Sequence, residues 1–205
     1  MSFDANPETR LSLIFKLSDR RDHDAWSEFV QIYQPVVQRF VQRRGLQHAD
    51  AAEITQDVLS VVAKSIESWD PEHEKCTFRG WLYRLTRNQT IDFLRRRKPE
   101  VVWSDVEDIG PEITSSEATA SSEFHAEYEK QLFYWAAEKI RGSFKPANWM
   151  AFWKSTVEGD PIERVAEELG MECGAVYVAR SRIMSRLSKL IQERMNETSV
   201  HPPGD

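Results

Sequence analysis

With 205 residues, 40% of them hydrophobic and 29% charged, the chain can form one large domain or two small ones and can bury ordinary cores. Nine prolines and eight glycines, missing from long stretches, favour helices over a sandwich or barrel, and no apolar run is long enough to span a bilayer. The formal net charge of −6 speaks against a nucleic-acid binder only as a total, because it conceals two basic segments separated by an acidic one.

A short leading helix is expected around Leu11 to Leu17. Trp26, Phe29, Val30, Tyr33, Val37, Phe40 and Val41 then recur at three- and four-residue spacing up to Gly45, with Pro35 inside the pattern, where it is expected to kink or divide the helix. Ile54, Val58, Val61, Val62 and Ile66 form a third stripe that ends before Asp70-Pro71. Thr77 can cap a fourth helix, running through Phe78, Trp81, Leu82, Leu85, Ile91 and Leu94 until Pro99 stops it. Residues 99 to 123 are rich in Ser, Thr, Asp and Glu and read as a flexible acidic linker. Periodicity returns with Phe124, Tyr128, Leu132 and Trp135, and again with Trp149, Phe152, Trp153 and Val157 after Pro146. The fold class is therefore all-α: two small helical domains, 1–98 and 124–195, joined by the linker 99–123 and followed by a tail, 196–205.

The charge is organised in the same blocks. Arg79 to Lys98 holds seven basic residues against Asp92, Pro99 to Glu129 holds nine acids and no Lys or Arg, and Ala175 to Met195 turns basic again with Arg180, Arg182, Arg186, Lys189 and Arg194. Each basic block is either a solvated helix face or a surface for phosphates. Near the C-terminus, Pro161 to Leu169 reads as a helix, Gly170 ends it, and Met171 to Gly174 turns into a longer helix from Ala175. This is the pattern of a helix-turn-helix, which a plain helical hairpin shares. Val176, Ala179, Ile183, Leu187 and Leu190 share the face that must be core. Tyr177, Val178, Ser181 and Ser185 lie opposite, flanked by Arg182, Arg186 and Lys189, and that face would enter a major groove.

On the second of the long helices Asp50, Glu53 and Asp57, with Gln56 beside them, fall on the side away from Ile54 and Val58. The stripe is either a solvated face or a docking surface for a basic partner helix. Here the chain resembles the extracytoplasmic-function sigma factors of the bacterial sigma-70 superfamily. The run Ala49 to Lys64 looks like the family's polymerase-binding helix, Phe78 to Arg97 like its promoter-melting and minus-ten helix, and Ile162 to Leu187 like its minus-thirty-five module. The resemblance covers roughly residues 22 to 98 and 124 to 191 in the family's order.

It implies a partner, the clamp helices of the largest subunit of core RNA polymerase, docked on Asp50, Glu53, Gln56 and Asp57. It also implies promoter DNA as a ligand. The loop before Phe78, together with Asn88, would hold a base flipped out of the non-template strand. An Asn side chain offers a donor and an acceptor to a base edge. Phe78 and Trp81 would stack, if they are not simply core, while Lys75, Arg79, Arg84 and Arg87 would follow the backbone. Asp92 is expected to bridge a nearby arginine. At minus thirty-five the contacts would come from Tyr177, Val178, Ser181, Arg182, Ser185 and Arg186. Tyr177 and Val178 depart from the family's basic or hydroxyl residues, so base-by-base readout does not transfer, whereas Arg182 stands where the family often has Arg. The segment Phe144 to Val157 is also more aromatic than the family's usual version. The resemblance further allows an anti-sigma factor as a second protein partner.

Two other classes compete. A helix-turn-helix regulator acting without polymerase would explain the C-terminal half but leave the acidic stripe and the helix to Arg97 without a purpose. An enzyme would need a phosphate loop, a nucleophile elbow or a metal cluster, and none is visible. His73 and Cys76 make at most half a metal site, so neither metal nor cofactor is expected, and catalysis would belong to the polymerase. Two distant cysteines, Cys76 and Cys173, and the absence of a charged leader before an apolar run make the cytoplasm the expected compartment.

Overall fold

The computed structural model describes residues 11–70, 77–97 and 117–196. Among them are eight α-helices and no strand: α1 Leu11–Lys16, α2 His23–Gln42, α3 His48–Ser65, α4 Phe78–Arg97, α5 Glu117–Arg141, α6 Pro146–Trp153, α7 Ile162–Leu169 and α8 Cys173–Asn196. The chain divides into two compact units, the first closing at Gln131 and the second opening at Leu132, so α5 contributes to both.

In the first unit, Asp22 caps α2 by accepting from the Ala25 amide at 2.9 Å, and Gly45, in the left-handed region at φ 77°, lies just beyond its end. Pro35 lies within α2 without dividing it. Its neighbours Val36 and Val37 are fully buried, which holds both halves of the helix to one core. α3 presents Ala51, Ile54, Val58 and Val62 to that core, and Thr55 turns its hydroxyl onto the Ala51 carbonyl at 2.6 Å. Thr77 caps α4 as expected, its Oγ1 accepting from the Gly80 amide at 3.2 Å.

The N-terminal half of α5 completes the unit. Phe124 packs edge-on against Phe40 and Tyr83, with ring centroids 5.2 and 6.0 Å apart, and Tyr128 stacks on Tyr33 at 5.4 Å. Beside these rings Glu127, only 2% exposed, receives Arg39 at 3.2 Å and Arg43 at 2.7 Å, while Arg44 reaches Glu123 at 3.3 Å. A buried carboxylate persists only if its charge is paired, and here two guanidinium groups do so. The boundaries expected at 99–123 and 124 thus differ from what is seen. The helix is already formed at Glu117, and Phe124 to Gln131 belong to the first unit. Residues 99–116 of the expected linker and most of the expected tail lie outside the described residues.

The second unit gathers Ala151, Val165, Ala166, Val176 and Ala179 into a core flanked by Ile162, Leu169 and Met171. Small residues at 151, 166 and 179 let α6, α7 and α8 approach closely. Gly170, at φ 60°, ends α7 in a Schellman turn, its own amide reaching the Glu167 carbonyl at 3.3 Å and the Met171 amide reaching Ala166 at 2.9 Å. The chain then enters α8 at Cys173, two residues earlier than the sequence pattern implies.

Candidate functional site

Three helix faces carry the residues singled out above. On α3, the inward spacing of Ile54, Val58 and Val62 turns Asp50, Glu53, Gln56 and Asp57 outward. Glu53 and Gln56 are exposed and Asp50 and Asp57 partly so. These two carboxylates are engaged by the end of α4: Arg97 is ion-paired with Asp50, and Arg96 reaches Asp57 at 3.5 Å. Both arginines are more than half exposed, so the pairs are readily exchanged with water or with another partner. Asp92 meets Arg95 at 3.5 Å, the pairing expected of it. Lys64, Gln89, Asp92, Arg95 and Arg96 line an open groove between α3 and α4 next to Asp57.

On α4, Phe78, Arg79, Leu82, Tyr83, Thr86, Thr90 and Phe93 face inward. Two of the expected minus-ten residues are therefore in the core. Phe78 is ringed by Phe29, Tyr33 and Trp69 at 5.4 to 6.0 Å between centroids. Arg79 is fully buried, its guanidinium 4.8 Å from the centre of the Tyr128 ring. Phe78 is thus enclosed by α2 and Trp69, and Arg79 by α5, whose Tyr128 covers it. The opposite side holds Arg84, Arg87 and Asn88, all exposed, and Trp81, which is half-buried with its ring 5.5 Å from Phe78 and 6.4 Å from Trp69. Trp81, Arg84 and Asn88 follow one another at three and four residues and so share one outward stripe. Lys75, like His73 and Cys76, lies outside the described residues.

On α8, Val176, Ala179, Ile183 and Leu187 are buried, and Tyr177, Val178, Ser181, Arg182, Ser185 and Arg186 are exposed. All six expected residues thus fall on one solvent-facing side. The helix carries a single acid, Glu193, which is 3.6 Å from Lys189. Arg182 and Arg186 have no ion-pair partner among the described residues.

Sequence reasoning missed the contact between α2 and α5. A signal was present: Arg39 and Arg43 are four residues apart, as are Glu123 and Glu127, so each helix offers a charged stripe complementary to the other. Among the described residues no three side chains are grouped as metal ligands, and no helix is long and apolar enough to cross a membrane.

Comparison with known proteins points in one direction. Residues 29–100, which contain most of α2 and all of α3 and α4, match the Sigma-70 region 2 family. The chain is similar to the ECF RNA polymerase sigma factor RpoE of Cereibacter sphaeroides, with 28% identity over 187 residues, 89% of this chain and 93% of that protein. It is 25% identical to the ECF RNA polymerase sigma factor SigE of Mycolicibacterium smegmatis over 189 residues, 88% of this chain and 67% of the relative. With the ECF RNA polymerase sigma factor SigW of Bacillus subtilis it shares 32% identity over 91 residues, 44% of this chain and 46% of that one.

Proposed function

Because the chain belongs to the extracytoplasmic-function sigma factors of the sigma-70 family, we propose that it binds core RNA polymerase and directs it to promoter DNA in the bacterial cytoplasm. The observation that carries this reading is the coincidence of the Sigma-70 region 2 match with the helices that hold the acidic face and Asn88. In this reading the α3 face (Asp50, Glu53, Gln56, Asp57) docks on the clamp helices of the largest polymerase subunit. A basic partner surface would take over the two carboxylates now held by Arg96 and Arg97.

Trp81, Arg84, Arg87 and Asn88 serve the minus-ten strand, the arginines on phosphates and Asn88 on the edge of an unstacked base. Lys75, three residues before Phe78 in the sequence, joins them on the strand's backbone. Phe78 and Arg79 act from the core, the first as the platform under Trp81. The α7–α8 pair is a helix-turn-helix whose second helix reads the minus-thirty-five element. An anti-sigma factor would act by covering the α3 or α8 face. The chain supplies positioning and strand capture, and the polymerase supplies the chemistry.

The test is reconstitution. The purified chain together with core polymerase should initiate transcription at discrete promoters, and neither should do so alone. Tight, sequence-specific binding of duplex DNA by the free chain, with no dependence on core enzyme, would instead identify an ordinary helix-turn-helix regulator.

A further inference from the structure

We propose that Tyr177 and Val178 read thymine methyl groups, so that part of the sequence preference of α8 comes from apolar contact rather than hydrogen bonding. The inference deepens the reading of α8 as a major-groove helix and rests on it. Tyr177 is 55% exposed and Val178 is 48% exposed, and they are neighbours on one helix. Neither is needed for packing, because the inward face of α8 is already filled by Val176, Ala179, Ile183 and Leu187. Two adjacent large apolar side chains held in water on an otherwise polar face lose hydrophobic free energy unless something covers them.

The surroundings specify what covers them. Ser181, Arg182, Ser185 and Arg186 continue the same exposed side, without an acid among them, so the occupant is anionic. The first turn of α8 is Cys173, Gly174 and Ala175, all exposed and all small, which lets the helix N-terminus approach a surface closely. Recognition helices put their N-terminal residues against base edges. Tyr177 and Val178 occupy the second turn, where side chains reach into the groove. Among the four bases only thymine presents a methyl group there. Arg182 and Arg186 then hold phosphates on the flank, and Ser181 and Ser185 are left for hydrogen bonds to bases of either kind.

The experiment uses the full chain reconstituted with core polymerase. Promoter duplexes enriched from a randomised pool are resynthesised with deoxyuridine replacing thymine one position at a time, which removes the methyl and leaves base pairing intact. Wild type should lose about fourfold in affinity at each of two neighbouring positions, the equivalent of one buried methyl group. Val178→Ala should be indifferent to the swap at one of them and Tyr177→Ser at the other. Sequence-selective binding that ignores deoxyuridine at every position would overturn the proposal and leave the major-groove reading in place. A pool that yields no enriched duplex protected by the second unit would overturn both.

Discussion

The side-chain amide of Gln131 donates to the backbone carbonyl of Gln31 at 3.1 Å, and that carbonyl is the one Pro35 deprives of its helical donor. A proline four residues on has no N–H to give, and α5 supplies the missing one from outside the helix. The two residues should therefore be coupled. Gln131→Ala should lower stability by about 0.5–1 kcal/mol in the native sequence. In a Pro35→Ala background, where the helix regains its own donor, the same change should cost less, because only the hydrogen bond that Arg39 donates to the Gln131 side-chain oxygen at 3.1 Å then remains to be lost. Urea unfolding of the four proteins checks it, and equal losses in both backgrounds would refute the coupling.

Reversing the charge of Asp50, Glu53 and Asp57 to Lys should abolish co-purification with core polymerase. The fold should survive, since the arginine of each lost pair is more than half exposed and pairs open to water on that side contribute about 1 kcal/mol each. Circular dichroism and a pull-down on the same preparation separate the outcomes. Retained binding would rule out α3 as the docking face.

Asn88→Ala should leave polymerase binding and closed-complex formation intact but impair promoter opening and change the preference at one minus-ten position. Asn88 is exposed, so the stability of the unit should hardly move. A loss spread evenly over all promoter variants in permanganate footprinting would show that no base is held there.

Arg182 and Arg186 are exposed and have no ion-pair partner among the described residues, so each can neutralise a phosphate. Changing both to Gln should weaken duplex binding and reduce the salt slope by about 2, close to one unit per contact. An unchanged slope would place the phosphate backbone elsewhere.

The pKa of His125 is lowered by burial and, secondarily, by Arg79, and its Nδ1 lies 3.2 Å from the Ser121 carbonyl. The folded state therefore prefers the neutral ring. The unfolded chain binds the proton more readily, so stability contributed at neutral pH is lost as pH falls below about 6.5 and through the lower folded value. Melting temperature followed from pH 7.5 to 5 should drop, and His125→Asn should flatten that part of the profile. An identical profile in the variant would assign the drop to other groups.

Helices whose burial pattern is self-contained were legible from the chain alone. The i, i+4 series of Ile54, Val58 and Val62 and the inward series of α8 fix which residues face solvent, and Thr77 declares the start of α4. What could not be read was contact between distant segments. The Glu, Ser and Thr content of residues 117–123 resembles a linker, yet Ala120 and Phe124 are buried and the stretch is helical. For the same reason Arg79 looked like a phosphate ligand. A guanidinium on a basic helix gives no sign that Tyr128, from the far side of an acidic segment, will lie over it.

The double allegiance of α5 has a practical consequence for dissecting this protein. A fragment stopped at residue 98 would strip Tyr128 from Tyr33, Phe124 from Phe40 and Tyr83, and Glu123 and Glu127 from Arg39, Arg43 and Arg44, baring a sticky and strongly cationic surface. A fragment begun at 117 would carry the complement, Phe124 and Tyr128 between two glutamates on a helix with nothing to close upon. Severed in the acidic segment, the protein would behave as a split pair, each piece ill at ease alone and each the natural ligand of the other.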